Sequence, residues 1–260
     1  MIELLNSSRE CKETLIDAMY DDEFYYGEMN KLALSSSTVK LLNDSPKSYR
    51  NALKYGNAQT QGMRDGWLFH TAILEPEKFH QLNFVNVKSK LTKAYKEAKA
   101  EYGQVFTQKE REDAERLQDA FYRNEMALKM IQDSEFEVPM VGNVLNMPFR
   151  GKADVLGTDR IVDLKTTTDI KNFDKSVEKY DYAGQVFIYC TLFNMSYECF
   201  KFVMIDKRTL TLGLAHCDKA LYERGKASVQ KAINTYKKYF IDDRLTDDKL
   251  DNYFLEIILK

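Results

Sequence analysis

Arg150-Gly151-Lys152-Ala153-Asp154 and, after a short gap, Ile161-Val162-Asp163-Leu164-Lys165-Thr166-Thr167 form the stretch that decides the fold. Side chains on a strand alternate faces, so Asp163 and Lys165 share one face while Val162 and Leu164 enter a core. The Gly157-Thr158 pair marks a turn that brings Asp154 across from Asp163. Two carboxylates on neighbouring strands suit a hard divalent cation, Mg²⁺ or Mn²⁺, which takes oxygen ligands and keeps several waters. A lysine beside such an ion can hold the attacking water or stabilise charge on a phosphate. An isolated Asp-x-Lys would be an ion pair on an exposed strand; the second aspartate and the apolar flanks point to a site.

Working outward, Phe136, Val138 and Met140 alternate with polar or small neighbours, and Leu145 to Leu156 and Arg160 to Lys165 continue as strands, with turns expected at Gly142-Asn143 and Gly157-Thr158. A helical period returns from Asp174 to Asn194. Strands Glu198–Asp206 and Leu210–His216 pair across Lys207-Arg208, and helices follow from Asp218 to about Tyr239 and from Asp247 to the end. The order β-β-β-α-β-β-α predicts an α/β core. Upstream, Ser35, Ser36, Ser37 and Thr38 cap a helix that stops near Pro46; a second follows that proline, and a third runs from about Asp65 to Pro76. Thr107 and Glu110 form a capping box for one long helix to about Asp133. Residues 1–33 read as an extended arm with one helix. Residues 34–260 read as a single domain: a helical elaboration (34–133), a catalytic core (134–217) and C-terminal helices (218–260).

The chain has 260 residues, of which 44% are hydrophobic and 30% charged, the mix of a globular protein with a sizeable core. With 11 glycines and 4 prolines it should consist of long regular elements and short loops. No apolar run is long enough to span a bilayer, and the N-terminus lacks a signal-peptide layout, so a cytoplasmic location without membrane contact is expected. Four cysteines without C-x-x-C spacing and three histidines argue against zinc and redox-dithiol chemistry. A metal, if used, must be held by carboxylates. The net charge of -2 provides no global field for nucleic acid, so DNA contacts must be local.

The local candidates are few. The stretch from Val87 to Lys109 carries a balance of +4, with Lys88, Lys90 and Lys93 at its start, and fits a phosphate-tracking face. Ser35 and Ser37 sit at a helix N-terminus, which is an anion site. Arg150 beside the Asp154 strand can clamp a phosphate or pair with a neighbour. Gln185 and Tyr189, four apart, share a helix face.

These pieces together resemble the PD-(D/E)XK nucleases in their RecB-like form. Gly151-x-x-Asp154 and the apolar-apolar-Asp163-x-Lys165-Thr166 strand match the core signature, Gln185-x-x-x-Tyr189 the motif that follows it, and Gly66-x-x-x-His70 an upstream motif whose histidine ligates metal. The resemblance covers roughly Leu34 to His216. It implies a restriction-endonuclease-like α/β fold, a mixed sheet flanked by helices, with the helical N-terminal region as an elaboration. It also implies metal ligation by His70, Asp154, Asp163 and the backbone carbonyl of Leu164, a water-positioning Lys165, and Gln185 and Tyr189 as catalytic helpers. Iron–sulfur members of this branch place a cysteine just before the early proline and three more in a tight C-terminal group. Here Ser45 holds the early position and Cys190, Cys199 and Cys217 are dispersed, so no cluster is expected.

Within the branch the chain is most similar to the exonuclease VIII (RecE-like) nuclease domains of phages and prophages. That similarity implies Mg²⁺-dependent 5′→3′ digestion of one strand of double-stranded DNA in a ring-shaped homo-oligomer, with the 3′ tail passed to a single-strand annealing protein. A structure-specific or restriction-type endonuclease would use the same residues. A catalytically inactive DNA-binding scaffold is disfavoured because every expected catalytic position is filled.

Overall fold

A five-stranded sheet separates two hydrophobic cores, one on each face. The computed structural model describes residues 9–242, 245–254 and 256. Helices α1 (Arg9–Ala18), α2 (Asp22–Tyr26), α3 (Met29–Leu32), α4 (Ser36–Asp44), α5 (Pro46–Tyr55), α6 (Gln61–Leu74) and α7 (Pro76–Gln81) come first. Strands β1 (Phe84–Val85) and β2 (Phe106–Thr107) form a small parallel pair around α8 (Lys93–Tyr102), and α9 (Gln108–Tyr122) and α10 (Glu125–Ile131) follow. The main sheet then begins with β3 (Glu135–Val144), β4 (Met147–Leu156) and β5 (Ile161–Thr167). After α11 (Phe173–Tyr180) and α12 (Tyr182–Leu192) it is completed by β6 (Phe200–Asp206) and β7 (Leu212–His216), ahead of α13 (Lys219–Tyr236) and α14 (Asp247–Asp251). The strand order is β3-β4-β5-β6-β7, with β5 and β6 parallel and the other pairs antiparallel.

Period-two alternation fills both cores. Ile161, Phe200, Phe202 and Met204 face α4, α12 and α13 through Val39, Leu42, Val186, Ile188, Val229 and Ile233. Val162, Leu164, Val203 and Ile205 face the other way, onto Phe69 and Ile73 of α6 and Leu117 and Phe121 of α9. The parallel β5–β6 connection passes through α11 and α12, as a crossover between parallel strands requires. Helices α12 and α13 approach closely: a Cβ on Gly225 would lie 2.0 Å from the Ala183 carbonyl oxygen, so only glycine fits there.

Several expectations require correction. The β3–β4 turn is not at Gly142-Asn143, which lie inside β3 opposite Phe149 and Pro148; the chain turns at Leu145 and Asn146, both left-handed (φ 52° and 63°). That register buries Val144, Met147 and Phe149 in one core, and burial outweighs the local turn preference. The long helix to Asp133 is two helices, because Asn124 caps α10 by accepting the Ala127 N–H. The Asp174–Asn194 helix is broken at Asp181, a left-handed residue (φ 54°) whose side chain caps Gly184 N–H and accepts from Ser228 Oγ at 2.6 Å. The last helix ends at Asp251 rather than at the chain end; residues 255 and 257–260 lie outside the described residues.

The N-terminal arm is folded rather than extended. Residues 1–8 lie outside the described residues, but α1–α3 bring Met19, Tyr25 and Met29 into a buried cluster against Val141 of β3.

Candidate active site

The β4–β5 ladder exists only at Val155↔Val162 and Leu156↔Ile161, and beyond it the two strands fork. Asp154 fills the gap, its Oδ2 accepting the Leu164 N–H at 2.7 Å. Helix α6 supplies His70 to the same fork. One ring nitrogen, Nε2, lies 2.6 Å from the Leu164 carbonyl oxygen, and the other, Nδ1, lies 3.3 Å from Asp154 Oδ2. On the other side of β4, the register of Phe136↔Val155 and Val138↔Ala153 sets Glu137 opposite Asp154, and Glu137 is left-handed (φ 51°) where the strand distorts. Ligand atoms of His70, Glu137 and Asp154 all lie within 4.8 Å of one another, a group that could hold a metal ion.

Burial and the charge of Asp154 push the Glu137 carboxyl up to about 8. Asp163, 1% exposed, sits one residue before the Leu164 carbonyl. Its Oδ1 accepts from Gln185 Nε2, while Oδ2 meets the Lys165 ammonium as an ion pair without an aligned hydrogen bond. Burial pushes Asp163 up to about 6 against the pull of Lys165. Burial also works against the Lys165 ammonium, but Asp163 outweighs it and holds that group above the usual lysine range. Tyr189 acts on β4 instead: its hydroxyl donates to the Lys152 carbonyl at 3.0 Å and accepts the Lys152 N–H at 3.4 Å. A Cβ on Gly151 would stand 2.8 Å from the Tyr189 ring, so the glycine is what lets that ring approach the strand.

These groups line one cleft of about 320 Å³. Leu34 bridges to β4 by donating to the Pro148 carbonyl and accepting from Arg150 N–H, which sets the N-terminus of α4, with Ser35, Ser36 and Ser37, at the cleft wall beside Arg150. The arm closes another side. Asp22 accepts from Lys152 (2.8 Å) and Lys78 (2.7 Å), and these two lysines hold its carboxylate below the usual range despite burial. The Tyr25 ring lies 4.4 Å from the Arg150 guanidinium, whose Nη2 donates to Asn30. Arg150 is 3% exposed, its Nε has no partner, and no carboxylate among the described residues pairs with it.

The model of a family described as a PDDEXK-like domain of unknown function (DUF3799) matches residues 35–244, most of the chain. The chain belongs to this family. No curated protein matches it. A solved structure from Eubacterium rectale, described as a "putative exonuclease", superposes with a TM-score of 0.63 at 16% identity, over 92% of this chain and 95% of that one, a likeness of fold. A phage-related exonuclease from Haemophilus somnus 129PT gives a TM-score of 0.36 at 15% identity, covering 84% of this chain and 100% of that one.

In this PDDEXK-like domain the structure places His70, Asp154, Asp163, Leu164, Lys165, Gln185 and Tyr189 close together around the β4–β5 fork. Gln185 hydrogen-bonds Asp163, and Asp163 stands outside the group formed by His70, Glu137 and Asp154. Ser35, Ser37 and Arg150 reach the same cleft, but Lys88, Lys90 and Lys93 do not. Lys88 and Lys93 are exposed, Lys93 beside Glu97, and Lys90 is committed to Glu110 (2.8 Å) and Gln61 (2.7 Å). Sequence reading missed Glu137, Asp22, Lys78 and Lys152. Lys152 was signalled by alternation, since Arg150, Lys152 and Asp154 share a strand face. Glu137 depended on the β3–β4 register.

The donor set fits a divalent cation. His70, Glu137 and Asp154 bring one imidazole and two carboxyl groups within 4.8 Å of one another, with the Leu164 carbonyl beside the ring, a mixed nitrogen and oxygen set of the kind a divalent metal takes. The cleft also carries five carboxyl groups (Asp22, Glu75, Glu137, Asp154, Asp163) and four basic side chains (Lys78, Arg150, Lys152, Lys165), so it holds no large excess of positive charge of its own. No helix among the described residues is long and apolar enough to cross a membrane.

Proposed function

We propose that this chain is a Mg²⁺-dependent deoxyribonuclease that degrades one strand of linear duplex DNA, 5′→3′, leaving a 3′ tail for a single-strand annealing protein. The observation that carries the nuclease reading is the fork between β4 and β5. There Asp154, the Leu164 carbonyl, His70 and Glu137 crowd one point, with Asp163 and Lys165 one step along the strand. His70, Glu137, Asp154 and the Leu164 carbonyl are the residues that would hold the metal, with Asp163, paired to Lys165, beside them. When bound, the ion would polarise the scissile phosphate and lower the pKa of a water. Lys165, kept charged by Asp163, holds the water or offsets charge on the phosphate. Gln185 fixes the Asp163 carboxylate and Tyr189 fixes the β4 backbone, so both are positioning residues.

The exonuclease reading draws on the α4 N-terminus and Arg150. Free N–H groups at Ser36 and Ser37, the serine hydroxyls and a buried guanidinium without a carboxylate suit a phosphate at the strand end. Lys88 and Lys93, exposed away from the cleft, are assigned to duplex phosphates, whereas Lys90 serves Glu110. A ring-shaped homo-oligomer enclosing the duplex belongs to the same reading, as does a cytoplasmic place of action. The test compares linear with covalently closed circular duplex in Mg²⁺, alongside size-exclusion chromatography. Loss of linear DNA from its ends with circles spared, by a species well above the 30.3 kDa of one chain, is expected. Comparable cutting of circles would support an endonuclease instead.

A further inference from the structure

Lys165 and His70 line a second cleft, of about 580 Å³, on the side away from the arm. It shares Gly66, His70 and Lys165 with the first, and its wall also includes the start of α6, Lys207, the threonines at the end of β5, and Lys179, Tyr180 and Tyr182 at the α11–α12 break. The break has a defined shape. Asp181 takes the left-handed conformation and is fixed there by Gly184 N–H and Ser228 Oγ, so the residues on either side are thrown onto one face. Tyr180 and Tyr182 stack as a result, with centroids 5.7 Å apart and planes 27° apart.

The stack runs from the core to solvent. Tyr182 rests on Phe173 and Phe202 (5.8 and 5.6 Å) and lies under the Lys165 ammonium at 4.8 Å, while Tyr180, 47% exposed, forms its outer plate. Lys179, also exposed, lies 5.2 Å over the Tyr180 ring. An exposed ring held rigid from behind costs little to use as a platform.

We infer that the second cleft is a nucleotide subsite, in which Tyr180 stacks on a base of the strand whose phosphate lies at Lys165. This rests on the nuclease reading above and extends it. Every base has a π face, so such a platform holds a strand irrespective of sequence. A base that takes the place of Lys179 over the ring frees that ammonium for the adjoining phosphate, and Thr166, Thr167 and Thr168 line the same cleft. A strand passing the catalytic lysine is thus gripped on both sides, by the α4 N-terminus and Arg150 in one cleft and by the tyrosine plate in the other.

The experiment measures binding of a short single-stranded DNA carrying 2-aminopurine, in Ca²⁺, and cleavage in Mg²⁺, for the wild type, Tyr180→Ala, Tyr180→Leu and Tyr180→Phe. Loss of one base–aromatic stack should weaken binding and raise KM by roughly 5- to 150-fold, with kcat little changed. Tyr180→Phe should restore both and Tyr180→Leu should not, and aminopurine quenching should follow the aromatic ring. Wild-type constants for Tyr180→Ala in an active enzyme, or full restoration by leucine, would overturn the subsite and leave the nuclease reading intact. A wild-type protein that neither binds nor cleaves DNA would overturn both.

Discussion

Glu137→Gln separates the two things Glu137 does in the structure. In the metal-free protein its carboxyl is half-buried opposite Asp154 and pushed up to about 8, whereas an unfolded glutamate titrates near 4.5. A raised carboxyl pKa means that, between those values, the folded chain must take up a proton that the unfolded chain has released, so folding is penalised at neutral pH. Glutamine, close in shape to the protonated acid, removes that penalty. Metal-free stability should therefore rise at pH 7 by on the order of 1–3 kcal/mol, moving Tm up by several degrees, and the gain should vanish below about pH 4.5. With metal the sign reverses. A site loaded at a hundred times Kd adds about 2.7 kcal/mol, or roughly 5–10 °C in a chain of this size, and loss of one carboxylate from the group of His70, Glu137 and Asp154 should remove most of that shift. Thermal melts of both proteins, with and without Mn²⁺, across pH 4 to 8 measure both effects. A variant with the wild-type Mn²⁺ shift and a lower metal-free Tm would refute the reasoning on both counts.

Two further predictions concern the frame around the site. Gly225→Ala puts a methyl 2.0 Å from the Ala183 carbonyl oxygen and must pry α13 off α12, so denaturant unfolding should show a loss of about 3 kcal/mol or more; a change within error would mean that the helices are not packed this closely. Glu110, whose carboxylate is held below its usual range by Arg64, Gln61, Lys90 and the Thr107 N–H against the effect of burial, stabilises the fold above about pH 4.5. Glu110→Gln should thus lower Tm at neutral pH, with the gap to wild type closing as the medium is acidified, and a gap that stayed constant with pH would contradict the assignment.

The parts of this molecule legible in its sequence are those where local chemistry and tertiary burial agree. Val162 and Leu164 are apolar and Asp163 and Lys165 are charged, so β5 could only present its charged face to a site, and the Ser35 cap formed where a serine run preceded an apolar period. Glu137 was hidden because its place depends on the β3–β4 register. A turn at Gly142-Asn143 would set Asp154 opposite Ile131, whereas the turn at Leu145-Asn146 sets it opposite Glu137. The strongest local turn signal lost to the burial of Val144 and Met147. Two of the arm's helices, α2 and α3, have only five and four residues and carry no readable period; what orders them is contact with β3 and the pairing of Asp22 with Lys78 and Lys152. Neither can be inferred from spacing along the chain.

The central claim, that the fork between β4 and β5 is a metal-dependent phosphodiesterase site, is tested most directly by digesting an end-labelled linear duplex in Mg²⁺ with wild type, Asp163→Asn and Lys165→Ala, with Mn²⁺ binding to each measured by calorimetry. The account predicts Mg²⁺-dependent shortening by the wild type, abolished by EDTA. Lys165→Ala should lose about a hundredfold or more in turnover while still binding Mn²⁺, and Asp163→Asn should bind DNA without cutting it. Wild-type rates in either variant, or digestion that persists in EDTA, would contradict it.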